Sequence, residues 1–61
     1  VKLADLERHL RRHGCQLKRE GGKHSIWENP ATDTWTSVPR HREIKDFLAR
    51  GICRQLEIPL P

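Results

Sequence analysis

The chain has 61 residues, 12 of them Lys or Arg and 8 Asp or Glu, for a formal net charge of +4 before its four His are counted. A chain of this length makes one small domain, residues 1–61, with a marginal core, because only about 60% of the unfolded surface is buried at this size. That excludes a cofactor-binding α/β domain, and the short apolar runs exclude a transmembrane helix.

Leu3, Leu6 and Leu10 recur at helical spacing, with Glu7, Arg8, Arg11 and Arg12 on the other faces. Gly14 follows as a left-handed stop, and His13 and Arg12 place positive charge in the last turn. The pattern predicts a helix over Leu3–His13. From Cys15 the period becomes two: Cys15, Leu17 and Arg19 alternate with Gln16, Lys18 and Glu20. Gly21-Gly22 reads as a hairpin turn, since Gly accepts positive φ without steric cost. A second strand, Lys23–Glu28, sets Ser25 and Trp27 on one face and His24 and Ile26 on the other. The cluster Asn29-Pro30-Ala31-Thr32-Asp33 is the next turn. Thr34–Val38, rich in β-branched and aromatic residues, is the third strand, and Pro39 ends it.

Arg40, His41, Arg42 and Glu43 form a charged connection. Ile44, Phe47, Leu48, Ile52 and Leu56 then return to helical spacing, predicting a helix over Asp46–Leu56. Gly51 inside it costs about 1 kcal/mol relative to Ala, and Pro59 and Pro61 bar continuation. The expected fold is α+β: an αβββα chain with a three-stranded antiparallel sheet and both helices on one face, because each helix has a single apolar stripe. Cys15, Leu17, Trp27, Thr36 and Val38 are expected on the covered face. Gln16, Lys18, His24, Ile26, Trp35 and Ser37 are expected on the open one. This outline is also that of double-stranded-RNA-binding domains.

Hydrophobic residues make up 34% and charged residues 33% of the chain, and both Trp lie in patterned segments, so the chain folds rather than forming a low-complexity tail. The basic excess favours a polyanionic partner, nucleic acid before a membrane surface; the alternative is a solvated surface that happens to be basic. No basic-then-apolar leader precedes the first helical pattern, so a soluble, cytoplasmic protein is expected. Cys15 and Cys53 are too few for a disulfide framework and read as small core residues. His9 and His13, at i, i+4, have a geometry that can chelate metal, but no zinc spacing accompanies them, and they read as a solvated helix face with His13 near the helix end. The Arg8, Arg11, Arg12 stripe reads as a solvated face or as phosphate contacts. Trp27 belongs to the core, whereas Trp35, on the open face beside Ile26, is placed to stack a base or dock a partner protein. No Walker A loop, Ser–His–Asp context or dinucleotide fingerprint is present, so neither cofactor nor metal is expected.

The most informative stretch is Gly22-Lys23-His24, with Trp27 three residues after the His and Pro30 three beyond that. Val38-Pro39 followed by Arg40-His41, the strand-ending Arg19, Ile44-Lys45, and Leu48-Ala49-Arg50 through Ile52-Cys53 and Leu56 complete the set. In order and spacing, over nearly the whole chain, these residues resemble the HicA-type mRNA interferase toxins of bacterial toxin–antitoxin pairs. The sequence departs from that family at four places: Lys23 for the usual Ser, Ser25 where a second His is frequent, Glu57 where Gly is common, and Cys15 for a common aromatic.

The resemblance implies an αβββα domain, endoribonuclease activity on mRNA, and a HicB-like antitoxin that binds the toxin and blocks its active face. It also implies that His24 is the catalytic residue. The chemistry fits: RNA carries its own nucleophile in the 2′-OH, and an imidazole is suited to remove that proton or to protonate the leaving 5′-oxygen. Lys23, Arg19, Arg40 and His41 are the cationic candidates for RNA contact and for stabilising charge on the phosphorane-like transition state. Strand alternation turns Lys23 away from His24 unless the hairpin rotates it. The alternatives are an RNA-binding module of the same fold that does not cleave, and a purely structural interaction domain.

Overall fold

A computed structural model describes all 61 residues, with α1 at Leu3–Arg12, β1 at Gln16–Glu20, β2 at His24–Asn29, β3 at Thr34–Pro39 and α2 at Asp46–Gln55. Every boundary lies within one residue of the sequence expectation. The strands form an antiparallel meander in the order β1-β2-β3. Both helices cover the same face: Leu6 and Leu10 of α1 share one buried cluster with Ala49, Ile52 and Cys53 of α2, with Trp27 and Val38 of the sheet, and with Cys15, Ile44 and Leu56.

Trp27 anchors this cluster with no exposed surface. Arg11 lies over its ring, with Cζ 5.2 Å from the centroid, while the buried indole Nε1 has no hydrogen-bond partner. Removing so large a buried aromatic costs about 3–5 kcal/mol, a large fraction of what a domain this small possesses. Cys15 and Cys53 are buried free thiols, and burial pushes both thiol pKa values up.

The two helices end in the same way. After α1, the Gly14 N–H donates to the Arg11 carbonyl (3.1 Å) and the Cys15 N–H to the Leu10 carbonyl (2.9 Å). After α2, the Glu57 N–H donates to Arg54 (3.1 Å) and the Ile58 N–H to Cys53 (3.0 Å). Both are Schellman caps, which need a left-handed residue just past the helix. At the first that residue is Gly14, φ +85°; at the second it is Glu57, φ +57°. The departure at Glu57 therefore falls on a position where a Cβ is strained.

Buried Asn29 ties the sheet to the second cap. Its Nδ2 donates to the Leu56 carbonyl (2.7 Å) and its Oδ1 accepts from the Ala31 N–H (3.1 Å), shaping the turn before β3. The charged connection after β3 is also held. The Leu3 N–H donates to the Arg42 carbonyl and the Ile44 N–H to the Val1 carbonyl, at 3.0 and 2.7 Å.

Three expectations change. Leu17 faces Trp27 across the β1–β2 ladder, as its predicted face requires, but β1 is an edge strand that the helices do not reach, and Leu17 stays 43% exposed. Phe47 is 69% exposed and Leu48 36% exposed, because α2 turns Ala49, Ile52 and Cys53 inward instead. The Gly21-Gly22 turn does not rely on positive φ, which among the glycines occurs only at Gly14.

Candidate active face

The helices leave the other side of the sheet bare. Cross-strand partners share a face, so the pairs His24↔Pro39, Ile26↔Ser37 and Glu28↔Trp35 place all six residues on the open side. His24 is the first residue of β2 and is exposed. Its backbone is fixed from two directions. On one side the hairpin closes tightly: the Gly21 N–H donates to the His24 carbonyl at 2.8 Å. A Cβ on Gly21 would sit 2.7 Å from that same carbonyl oxygen. Gly21 is thus required by close approach, a different reason from the one the sequence suggests. On the other side, the Arg40 N–H donates to the Lys23 carbonyl at 3.0 Å, extending the β2–β3 ladder one step beyond His24.

The side chain of Arg40 locks the same corner. Nη1 donates to the Gly21 carbonyl at 2.9 Å and Nη2 pairs with Glu20 Oε1 at 3.1 Å. Its guanidinium is therefore committed to the turn that presents His24. No ion pair engages Arg19, Lys23 or His41. Lys23 is exposed at the end of the turn, one residue before β2, and His41 is exposed on the loop beyond β3.

Arg19 reaches the open face through an irregularity. The β1–β2 register shifts between Leu17 and Arg19, so that Leu17 pairs with Trp27 and Arg19 with Ile26, while Lys18 has no partner opposite. Simple alternation would have kept Arg19 on the side of Leu17. The bulge turns it to the side of Ile26 and His24, a re-aiming that bulges commonly perform beside functional sites. Diagonal neighbours of this kind have Cβ atoms about 7–8 Å apart or somewhat less, within reach of one phosphodiester. Lys18, Arg19, Ile26 and Trp35 together line a shallow groove, and Trp35 is 59% exposed in it. One acidic group also faces this side. Glu28 accepts from Gln16 Nε2 at 2.8 Å and lies 4.0 Å from Lys18 Nζ. The open-face set expected from sequence lacked both Glu28 and Arg19. Extending the His24–Ile26 alternation by one step finds the first; no sequence pattern signals the bulge that delivers the second.

The expected site residues thus divide. His24 and Arg19 share the open face, Arg40 braces the turn beneath them, and Lys23 and His41 stand free at its margin. The other histidine pair is elsewhere: His9 Nε2 donates to the Pro59 carbonyl at 2.7 Å and the His9 and His13 rings meet edge to face at 4.6 Å. No three His, Cys, Asp or Glu side chains converge into a metal-binding group, and no helix is long and apolar enough to cross a membrane.

A family model described as HicA toxin of bacterial toxin–antitoxin matches residues 3–58. No curated protein and no solved structure matches the chain.

Proposed function

The chain belongs to the HicA toxin family of bacterial toxin–antitoxin systems, and from that premise we propose that it is an mRNA endoribonuclease that works without a metal, with His24 as its catalytic residue. The observation that carries this reading is the exposed His24 on the open sheet face, diagonal to an unpaired Arg19 that a bulge has turned to the same side. In the step, His24 takes the proton of a ribose 2′-OH as that oxygen attacks the adjacent phosphorus. The bond from phosphorus to the 5′-oxygen breaks, the 5′-oxygen takes up a proton, and a 2′,3′-cyclic phosphate remains. A metal is not needed to make the nucleophile, because RNA supplies it. Arg19 offsets charge on the phosphorane-like transition state, with Lys23 and His41 as further cations at the margin. Arg40 acts as a positioning residue, since its guanidinium is spent on Gly21 and Glu20.

The same face suits a HicB-like antitoxin. A half-exposed Trp35 beside Ile26, on a chain of charge +4, offers an aromatic anchor and electrostatic complementarity to an acidic protein. An antitoxin seated there covers His24.

One observation favours a second reading, an RNA-binding module that does not cleave. No other proton-transfer group pairs with or stands diagonal to His24 in the strand ladder, and His41, two residues beyond Pro39, lies on a loop. RNA cleavage in the presence of EDTA, comparing the wild type with His24→Ala, separates the two. Loss of cleavage by about 10²–10⁴-fold with RNA binding retained is expected of a proton-transfer residue. Equal cleavage by both would refute the assignment of His24. Binding without cleavage by either would favour the second reading.

A further inference from the structure

The two edges of the sheet are built differently. β1 carries the bulge and three successive charges, Lys18, Arg19 and Glu20, which are devices that prevent a further strand from adding. β3 carries none of them: Thr34-Trp35-Thr36-Ser37-Val38 is uncharged and β-prone, and Pro39 stands at its end. The edge is also uncovered, since a groove runs along it between Asp33–Ser37 and Gln55 of α2.

The ladder fixes which groups the edge offers. The Arg40 N–H bonds back to Lys23 in β2. In an antiparallel pair bonding alternates, so Val38, Thr36 and Thr34 also bond to β2, while Trp35 and Ser37 turn both N–H and C=O outward. Pro39, which has no N–H to offer, falls among the outward-turned residues.

We propose that this edge pairs with the β3 edge of a second copy of the chain, making a two-fold dimer with one continuous six-stranded sheet. The edge is self-complementary about Thr36. Antiparallel pairing sets Trp35 opposite Ser37 of the second copy and Ser37 opposite its Trp35, with four main-chain hydrogen bonds formed and a large side chain facing a small one on the open face. Thr36 meets its own counterpart on the covered face. Two residues beyond, Asp33 comes opposite Pro39 of the second copy, and no like charges face each other along the paired edge.

α2 supplies an independent observation. Gln55 lines the edge groove, and Gly51 and Leu48 lie one and two helical turns before it on the same stripe. Both are exposed, and nothing lies within 4 Å of a Cβ built on Gly51. A helix-weakening Gly with no neighbour in the monomer is accounted for by close approach of a second α2 across the two-fold axis.

The interface is small, so the association depends on concentration, and salt favours it by screening two chains of charge +4. The test is sedimentation equilibrium of the isolated chain at rising concentration and at low and high salt, with amide hydrogen exchange on the same samples. The expected result is an apparent mass that climbs toward twice the monomer. The Trp35 and Ser37 amides should gain protection as it does, while Thr36, already bonded to β2, should not change. Ser37→Pro removes only an outward N–H, and Gly51→Arg places a charged side chain in open space; both are expected to stay monomeric. Should Ser37→Pro fail to fold, Gly51→Arg and the amide pattern decide. A monomeric wild type at every concentration, or dimers of both variants as strong as the wild type's, would overturn the proposal. So would a dimer that protects β1 amides instead. A wild type that gains protection at Trp35 and Ser37 only when an unrelated strand peptide is added would also overturn it.

Discussion

Replacing Glu57 by Gly should stabilise this protein. Glu57 holds φ +57° in the cap that ends α2, where the family commonly has Gly. A residue with a Cβ in this region is strained by about 1–2 kcal/mol. Placing Gly there removes that strain but adds about 0.4–1 kcal/mol of unfolded-chain entropy to be lost on folding. The net expected gain is about 1 kcal/mol, which in a domain this small raises Tm by about 4–8 °C. The carboxylate adds to the penalty, because it sits at the negative end of the helix dipole and makes no ion pair. Glu57→Gln isolates that electrostatic part and should recover only about 0.3–1 kcal/mol. The other cap supplies the reverse experiment. Gly14 has φ +85° and nothing within 4 Å of a built Cβ, so Gly14→Ala should lose about 1 kcal/mol through backbone strain alone. Urea unfolding of the four proteins, read as midpoints at constant m, is the assay. If Gly14→Ala costs the expected amount while Glu57→Gly leaves the midpoint unchanged or lower, the strain argument for the second cap is wrong.

Three further outcomes follow from the same geometry. Gly21→Ala forces a Cβ against the His24 carbonyl, 2.7 Å away; the displaced hairpin should cost about 1–3 kcal/mol and cleavage should fall about 10²-fold, measured by turnover of folded protein. Asn29→Ala leaves the buried Leu56 carbonyl without its donor and opens the turn before β3, so the urea midpoint should drop by the equivalent of about 1–3 kcal/mol; a loss within error would show that water replaces the amide. Cys15 and Cys53 have folded-state pKa values raised by burial, so the stability they carry is complete below the unfolded thiol value and is lost as pH rises through the folded one. The urea midpoint should therefore fall at alkaline pH, less so in Cys15→Ala and Cys53→Ala, and thiol reagents at neutral pH should label only as fast as the chain opens.

Much of the fold is legible because period and punctuation agree. The leucine spacing of α1, its Gly14 stop and the change to period two at Cys15 fix the first half within a residue. The face of α2 was harder to read. Of the expected row Ile44, Leu48, Ile52 and Leu56, all but Leu48 reach the core, and Ala49 and Cys53 join Ile52 there from α2. Hydrophobicity favours Phe47 and Leu48 for burial, yet both are exposed while Ala49 and Cys53 are buried, and no single-sequence rule ranks a small residue above an aromatic. Neither helix begins with a side-chain cap: Lys2 and Lys45 occupy those positions, and the first turns rely on Asp5 and Asp46 to complement the dipole.

The site shows the same limit at finer scale. Where His24 faces is a matter of strand parity, which sequence reads well. How its surroundings are assembled depends on departures from parity, which sequence does not mark. Lys18 is one residue too many for the ladder, and that extra residue moves Arg19 to the face of His24. Arg40 reads as one more free cation, yet two hydrogen-bonding contacts bind it to the hairpin. The cations available to a bound phosphate are therefore fewer than the net charge suggests, and they are placed by a bulge and a turn rather than by abundance. It follows that removing Arg40 should act on activity through the position of His24, whereas removing Arg19 should act through charge. A rise in salt should mimic the second and not the first, since screening weakens a cation's hold on phosphate but leaves a hydrogen-bonded turn in place.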